Sequence, residues 1–282
     1  MTSEPGTLYI VSTPIGNLDD ISARAINVLG QVDVVAAEDT RHSARLLEQL
    51  GLQKFLLSYH DHNELGRSAD LVRRLKAGEQ VALISDAGTP LISDPGYRLV
   101  HDCQTEGIPV VPVPGASAVL AALVVSGLPS ERFSFEGFAP SKGAVREAFL
   151  RRIGSAATTS ILYEAPHRIL TLLESLAGIL ESEREVVLCR ELTKRFETVL
   201  RGTAAELLER VRTDSDQQRG EMVLLVAPAP QQQQDDQQLE SLGRLLLEEL
   251  PLSRAARVLA GWSGRKRNDV YRLLEQWSGK SE

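Results

Sequence analysis

The chain has 282 residues, 43% hydrophobic and 24% charged, with a formal net charge of −7. That balance is ordinary for a soluble globular protein of about two domains and a small appendage, and it argues against broad, nonspecific nucleic-acid binding. No apolar run approaches the ~20 residues of a membrane span, Met1 to Gly6 lacks the basic and apolar regions of a signal peptide, and Cys103 and Cys189 sit in no metal-ligand spacing, so a cytoplasmic location is expected.

Residues 1–126 alternate strand and helix. Strand-like runs are Leu8 to Ser12, Val32 to Ala37, Phe55 to Tyr59, Val81 to Ser85 and Val110 to Val113, with helical stretches such as His42 to Leu50 and Glu64 to Lys76 between them. Five such units predict an α/β domain with a mostly parallel sheet and helices on both faces. Gly127-Leu128-Pro129-Ser130 reads as a linker into a second α/β domain over 127–230. Here Arg132 to Phe138 alternates, Ser160 to Tyr163 is a short buried run, Val186 to Arg190 and Phe196 to Leu200 suit a hairpin, and Met222 to Ala227 is a further strand, so a mixed sheet is expected. The polar, glutamine-rich segment 231–238 reads as a mobile linker. Residues 239–282 form a small helical tail of helix-turn-helix outline, with helices over Arg254 to Leu259 and Asn268 to Trp277.

The most informative stretch is Ser85 to Gly96, which carries two Pro, two Gly and two Asp behind a buried strand. A rigid, glycine-bearing loop at the carboxyl end of a parallel strand is where open α/β sheets bind ligands. Gly115-Ala116-Ser117-Ala118 repeats the pattern after Val110 to Pro114, with Ser117 placed to cap the next helix. The first turn, Ser12 to Asp20, has one glycine and does not match a dinucleotide fingerprint, and Gly279-Lys280-Ser281 lacks the earlier glycine and strand of a phosphate loop. Glu38-Asp39-Thr40-Arg41 offers a helix cap at Thr40 or acid and base at a cleft rim. His60-Asp61-His62-Asn63-Glu64 lacks further ligands to complete a metal site, so no metal is expected and Asn63 reads as a cap. Tyr163 to Arg168, Arg190 to Glu197 and Gly220-Glu221-Met222 are either ordinary capped or solvated segments or charged groups turned into one interdomain cleft. Between 254 and 272, Arg254, Arg257, Arg265, Lys266, Arg267 and Arg272 against the single acid Asp269 read either as a phosphate-contacting surface on an acidic protein or as a solvated helix face.

Taken together, Ser12 to Asn17, Glu38 to Arg41, Ser85 to Gly96, Pro114 to Ala118, Tyr163 to Arg168, Arg190 to Lys194 and Gly220-Glu221 resemble the tetrapyrrole methylase superfamily. Within it they are most similar to the branch that methylates a cytidine ribose 2′-hydroxyl in small-subunit ribosomal RNA, whose helical tail is also similar. The resemblance implies two α/β domains with S-adenosylmethionine in the cleft between them, a homodimer, and ribosomal RNA or the small ribosomal subunit as partner. By residue matching it implies cofactor contacts at Pro14, Ile15, Gly16, Gly88, Thr89, Pro90, Ile92, Ser117 and Ala118, and in the second domain at Tyr163, Leu192 and Met222. The corrin-pathway relatives carry G-D-P where this chain has Gly88-Thr89-Pro90, so a side-chain contact from that acid is lost.

The expected reaction is in-line methyl transfer to a ribose hydroxyl, which a positioned base assists. The candidate carboxylates are Asp39, Asp94, Glu164 and Glu191, and the candidate RNA contacts are Arg41, His60, Arg168, Lys194, Arg265, Lys266 and Arg267. The alternatives are a methyltransferase acting on a tetrapyrrole carbon, which would not need a basic tail, and an RNA-binding module that only holds the cofactor.

Overall fold

A computed structural model describes residues 4–278; residues 1–3 and 279–282, with the Gly279-Lys280-Ser281 run, lie outside them. Strands β1 (Leu8–Val11), β2 (Val34–Ala37), β3 (Phe55–Ser58), β4 (Val81–Ile84) and β5 (Val110–Val113) alternate with α1 (Ala23–Gln31), α2 (Thr40–Gln49), α3 (Glu64–Lys76) and α4 (Tyr97–Thr105). The strands pair in parallel in the order β3-β2-β4-β1-β5. Both faces are covered, as the near-continuous apolar strands require. Val34, Ala36, Val81 and Leu83 bury with Leu71 and Leu99 on one side. Val35, Ala37, Ala82 and Ile84 bury with Leu29 and Leu47 on the other. This order sets the carboxyl ends of β4, β1 and β5 side by side, where a doubly wound sheet opens its ligand crevice.

The next helix, α5 (Ala118–Ser126), leaves the first sheet. Its Val119, Ala122 and Leu123 bury against Val187, Cys189, Val223 and Leu225 of the second sheet. The packing boundary therefore runs ahead of α5, whereas the sequence pattern set it after residue 126. The second sheet is built from β6 (Phe133–Phe138), β7 (Thr159–Glu164), β8 (Glu185–Arg190), β9 (Thr198–Thr203) and β10 (Met222–Val226), in the order β6-β7-β10-β8-β9. Only β6 and β7 pair in parallel, and β8 and β9 form the expected hairpin. Helices α6 (Gly143–Gly154), α7 (Ile169–Ala177) and α8 (Ala204–Thr213) cover the face opposite α5 with a leucine-rich core.

The glutamine-rich segment is not an open linker. It forms the first turns of α9 (Gln231–Glu249), which packs with α10 (Leu252–Ser263) and α11 (Arg267–Trp277) around Leu239, Ala255, Ala256, Leu259, Val270 and Leu274. The physical reason is twofold: glutamine is a good helix former, and Leu239, Leu242 and Leu246 recur at helical spacing on the face that meets this core. None of the described helices is long and apolar enough to cross a membrane.

Candidate active site between the two sheets

Three loops meet at the carboxyl ends of β1, β4 and β5, and backbone geometry stitches them together. Thr13 and Gly88 exchange both backbone hydrogen bonds, at 2.8 and 3.1 Å, as an isolated antiparallel bridge. The Thr89 hydroxyl donates to the Ala116 carbonyl (3.0 Å), so its oxygen is free to accept from the Ser12 hydroxyl, also at 3.0 Å. Gly88 is required: its φ is +80°, and a Cβ there would press to 3.2 Å from Ile15. Ser117 occupies the N-cap of α5, but its side chain makes no capping hydrogen bond.

Above these loops the second sheet closes a cavity of about 330 Å³. Ile15, Gly88, Thr89, Ile92, Asp94, Ser117 and Ala118 line it from below, and Phe138, Tyr163, Leu192, Glu221 and Met222 from above. Tyr163 meets Phe135 and Phe138 edge-on, with ring centroids 4.9 and 5.6 Å away, which makes a firm aromatic wall. Burial, with Asp94 and Glu221 nearby, pushes the Tyr163 phenol up to about 12, so it stays neutral. The described non-glycine residues with left-handed backbone are Leu91, Ser93, Glu191 and Thr193, and all four lie in the loops that border the cleft. Such strain persists only where the surroundings enforce it.

Nine residues expected at the cofactor therefore line one cavity: Ile15, Gly88, Thr89, Ile92, Ser117, Ala118, Tyr163, Leu192 and Met222. Pro14 and Gly16 instead border a second cavity next to it, and buried Pro90 borders neither. Gly16 has φ +145°, and the space a Cβ would need is filled by the Lys194 stem.

The candidate bases separate by their partners. Asp39, not Thr40, caps α2: its Oδ1 accepts from the Arg41 N–H at 2.8 Å, and the Arg41 side chain also pairs with it. That hydrogen bond, helped by the backbone contacts, holds the Asp39 carboxyl below its usual range. Glu164 is buried between Arg168, at 3.1 Å, and Arg146, at 4.0 Å. Burial alone would raise the Glu191 carboxyl, yet the Glu221 N–H and the Lys194 ammonium at 2.9 Å hold it low. Gly220, at φ +83°, is what lets that carboxylate reach the Glu221 backbone, since a Cβ would collide with it. Asp94 differs from all three. It lines the cavity, as Glu164 also does, but it has no cationic partner among the described residues, and it is raised by burial and by Asp86 and Asp61 despite a hydrogen bond from Ser85.

Several expected RNA contacts are already committed within the chain. The Lys194 ammonium bridges Glu191 and Glu221 at 2.9 and 2.8 Å. Arg168 donates to the Ala139 and Pro140 carbonyls besides pairing with Glu164. Asn63 does not cap its helix; its amide holds His60 instead, accepting from the His60 N–H at 2.9 Å. Arg265 pairs with Asp236. Lys266 and Arg267 stay exposed at the start of α11, and Arg41 is exposed beside its Asp39 partner.

Sequence reasoning missed the cavity contribution of Phe138 and the behaviour of Glu38 at the end of β2, whereas Glu221, offered as one of the charged groups of an interdomain cleft, does line the cavity. Burial, then repulsion from Asp94, Asp86, Asp61 and Asp39, pushes the Glu38 carboxyl up to about 7. Phe138 closes an alternating strand, so position alone could have flagged it. Glu38 could not be found that way, because its neighbours come from three separate loops.

Residues 7–208 match the family described as Tetrapyrrole (Corrin/Porphyrin) Methylases, and residues 233–277 match the RsmI C-terminal HTH domain. The chain is 51% identical to a ribosomal RNA small subunit methyltransferase I of Pseudomonas aeruginosa, over 98% of this chain and 99% of that one. It is 48% identical to the protein of the same description in Haemophilus influenzae, covering 97% and 98% of the two chains. Among solved structures, a cobalt precorrin-4 methyltransferase of cobalamin biosynthesis superposes with TM-score 0.57 at 18% identity, over 78% of this chain and 94% of that one. The methyltransferase CobJ superposes with TM-score 0.59 at 20% identity, over 79% and 95%. At those identities the two structures speak for the fold alone.

Proposed function

The chain belongs to the tetrapyrrole (corrin/porphyrin) methylases, and from that premise we propose that it uses S-adenosylmethionine to methylate a cytidine ribose 2′-hydroxyl in small-subunit ribosomal RNA. The observation that carries this reading is the pairing of the methylase fold with a three-helix tail whose stretch 254–272 is basic, in a chain that matches relatives described as ribosomal RNA methyltransferases along nearly their whole length.

The cavity's chemistry fits the cofactor. Tyr163, Leu192 and Ile15 offer apolar surface, the glycine-bearing loop and the uncapped start of α5 offer backbone polar groups, and Asp94 suits a cationic sulfonium. When bound, S-adenosylmethionine supplies a methyl group already activated for in-line displacement. The remaining work falls to this chain's own residues: the stitched loops fix orientation, and the Asp94 carboxylate takes the hydroxyl proton. Glu164 and Glu191 act as structural anchors rather than bases, because their charges are spent on Arg168, Arg146 and Lys194. Exposed Arg254, Arg257, Lys266, Arg267 and Arg272 contact RNA phosphates. A homodimer and a cytoplasmic location belong to the same reading. Leu120, Val124 and Val125 leave α5 apolar on its outer side too, which suits a face covered by a second copy. Sedimentation velocity distinguishes that dimer from a monomer.

The test is incubation with methyl-labelled donor and either small ribosomal subunits lacking the modification or a corrin precursor. Label in the subunit RNA alone is expected. Label in the corrin would favour carbon methylation, and donor binding without transfer to either would make the chain a cofactor-holding module.

A further inference from the structure

Beside the interdomain cavity lies a second one of about 490 Å³, open to solvent, with α2 as one wall. His42, Arg45 and Gln49 project into it at helical spacing i, i+3 and i+7, which places them on one face. Leu18 and Leu46 give it apolar surface. Arg45 is exposed, and among the described residues its guanidinium makes no ion pair and no hydrogen bond. The other charges at its edge are accounted for. Lys194 is neutralised by Glu191 and Glu221, and Asp86 accepts from the Asp39 backbone N–H at 3.0 Å.

The two cavities share Ile15, Ala87 and Glu221 as a common wall. A substrate seated on α2 therefore reaches a methyl group held in the first cavity across that wall. We infer that the α2 cavity receives the target nucleotide of the RNA, its phosphate on Arg45 and its base against Leu18 and Leu46. The volume suits one nucleotide. A free guanidinium recognises a phosphate in two-pronged fashion, and the Gln49 amide with the Asp86 carboxylate can accept from and donate to a base edge, a carboxylate being apt for a cytosine amino group. The Lys194 stem crossing Gly16 then forms the lip between nucleotide and cofactor, which explains why its ammonium is tied down rather than offered to RNA.

This inference rests on RNA being the substrate. It is tested by steady-state methyl transfer to small-subunit RNA using the full chain, Arg45→Ala, Gln49→Trp to fill the cavity, and Arg67→Ala as an exposed arginine elsewhere. Both cavity variants should raise KM for RNA about tenfold or more, the scale of one charge-assisted hydrogen bond. Donor affinity by calorimetry and thermal melting should stay at the values of the unaltered chain. Arg45→Ala should also flatten the dependence of log affinity on log salt by about 0.7 to 0.9, one phosphate contact. Unaltered KM in both cavity variants, with the full chain active on RNA, would overturn the inference alone. A full chain that binds donor yet transfers nothing to RNA would overturn the substrate reading, and this inference with it.

Discussion

At the scale of single residues, the carboxylates of the cleft differ in what holds them, and that difference assigns their work. Glu164 sits in the interior with Arg168 and Arg146, and its Oε2 has no hydrogen bond among the described residues. Removing one partner from a buried ion pair leaves the other charge uncompensated, which costs about 3–5 kcal/mol. Glu164→Leu should therefore lower stability by about that amount in chemical denaturation, while turnover of the folded fraction stays close to normal. Asp94→Asn should do the reverse, leaving stability intact and slowing transfer. A Glu164→Leu chain of ordinary stability that lost only turnover would make Glu164 the base instead.

Among the elements, those with strong apolar periodicity were legible from residues alone. All five strands of the first sheet fall within a residue or two of the sequence reading, because buried parallel strands are near-continuous apolar runs bounded by turn formers. The three loops of the site were legible too, as glycine and proline clusters at strand ends. Two elements were misread for different reasons. The apolar run of α5 announces burial but not against which sheet, and that choice is tertiary. The polar start of α9 looks like a linker because composition masks the leucine spacing that continues behind it. The tail's own core predicts that it folds apart from the two sheets. A chain ending at Pro230 should bind donor almost normally, bind small-subunit RNA more weakly and show a shallower salt dependence, read by calorimetry and by filter binding across salt concentrations. Unfolding of that shortened chain would make the tail part of the main structure.

Across the whole molecule, a parallel sheet supplies rigid loops, a mixed sheet supplies an aromatic and apolar lid, and α5 joins them from beneath. The carboxylates and cations of the cleft were visible in the sequence only as charged segments. Which of them pair, and which face the cavity, depends on groups brought together from as far apart as Gly16 and Lys194, in contact, or Glu38 and Asp94, through charge repulsion. That arrangement leaves one cavity between the sheets and a solvent-open cavity beside it, which fits the proposed transfer from a small donor to a macromolecular acceptor. The most direct measurement is nucleoside analysis of small-subunit RNA after reaction with methyl-labelled S-adenosylmethionine and the full chain. The label should run as 2′-O-methylcytidine, released only by digestion that frees the ribose-methylated nucleoside. Label on a base, or on the ribose of another nucleoside, would contradict it.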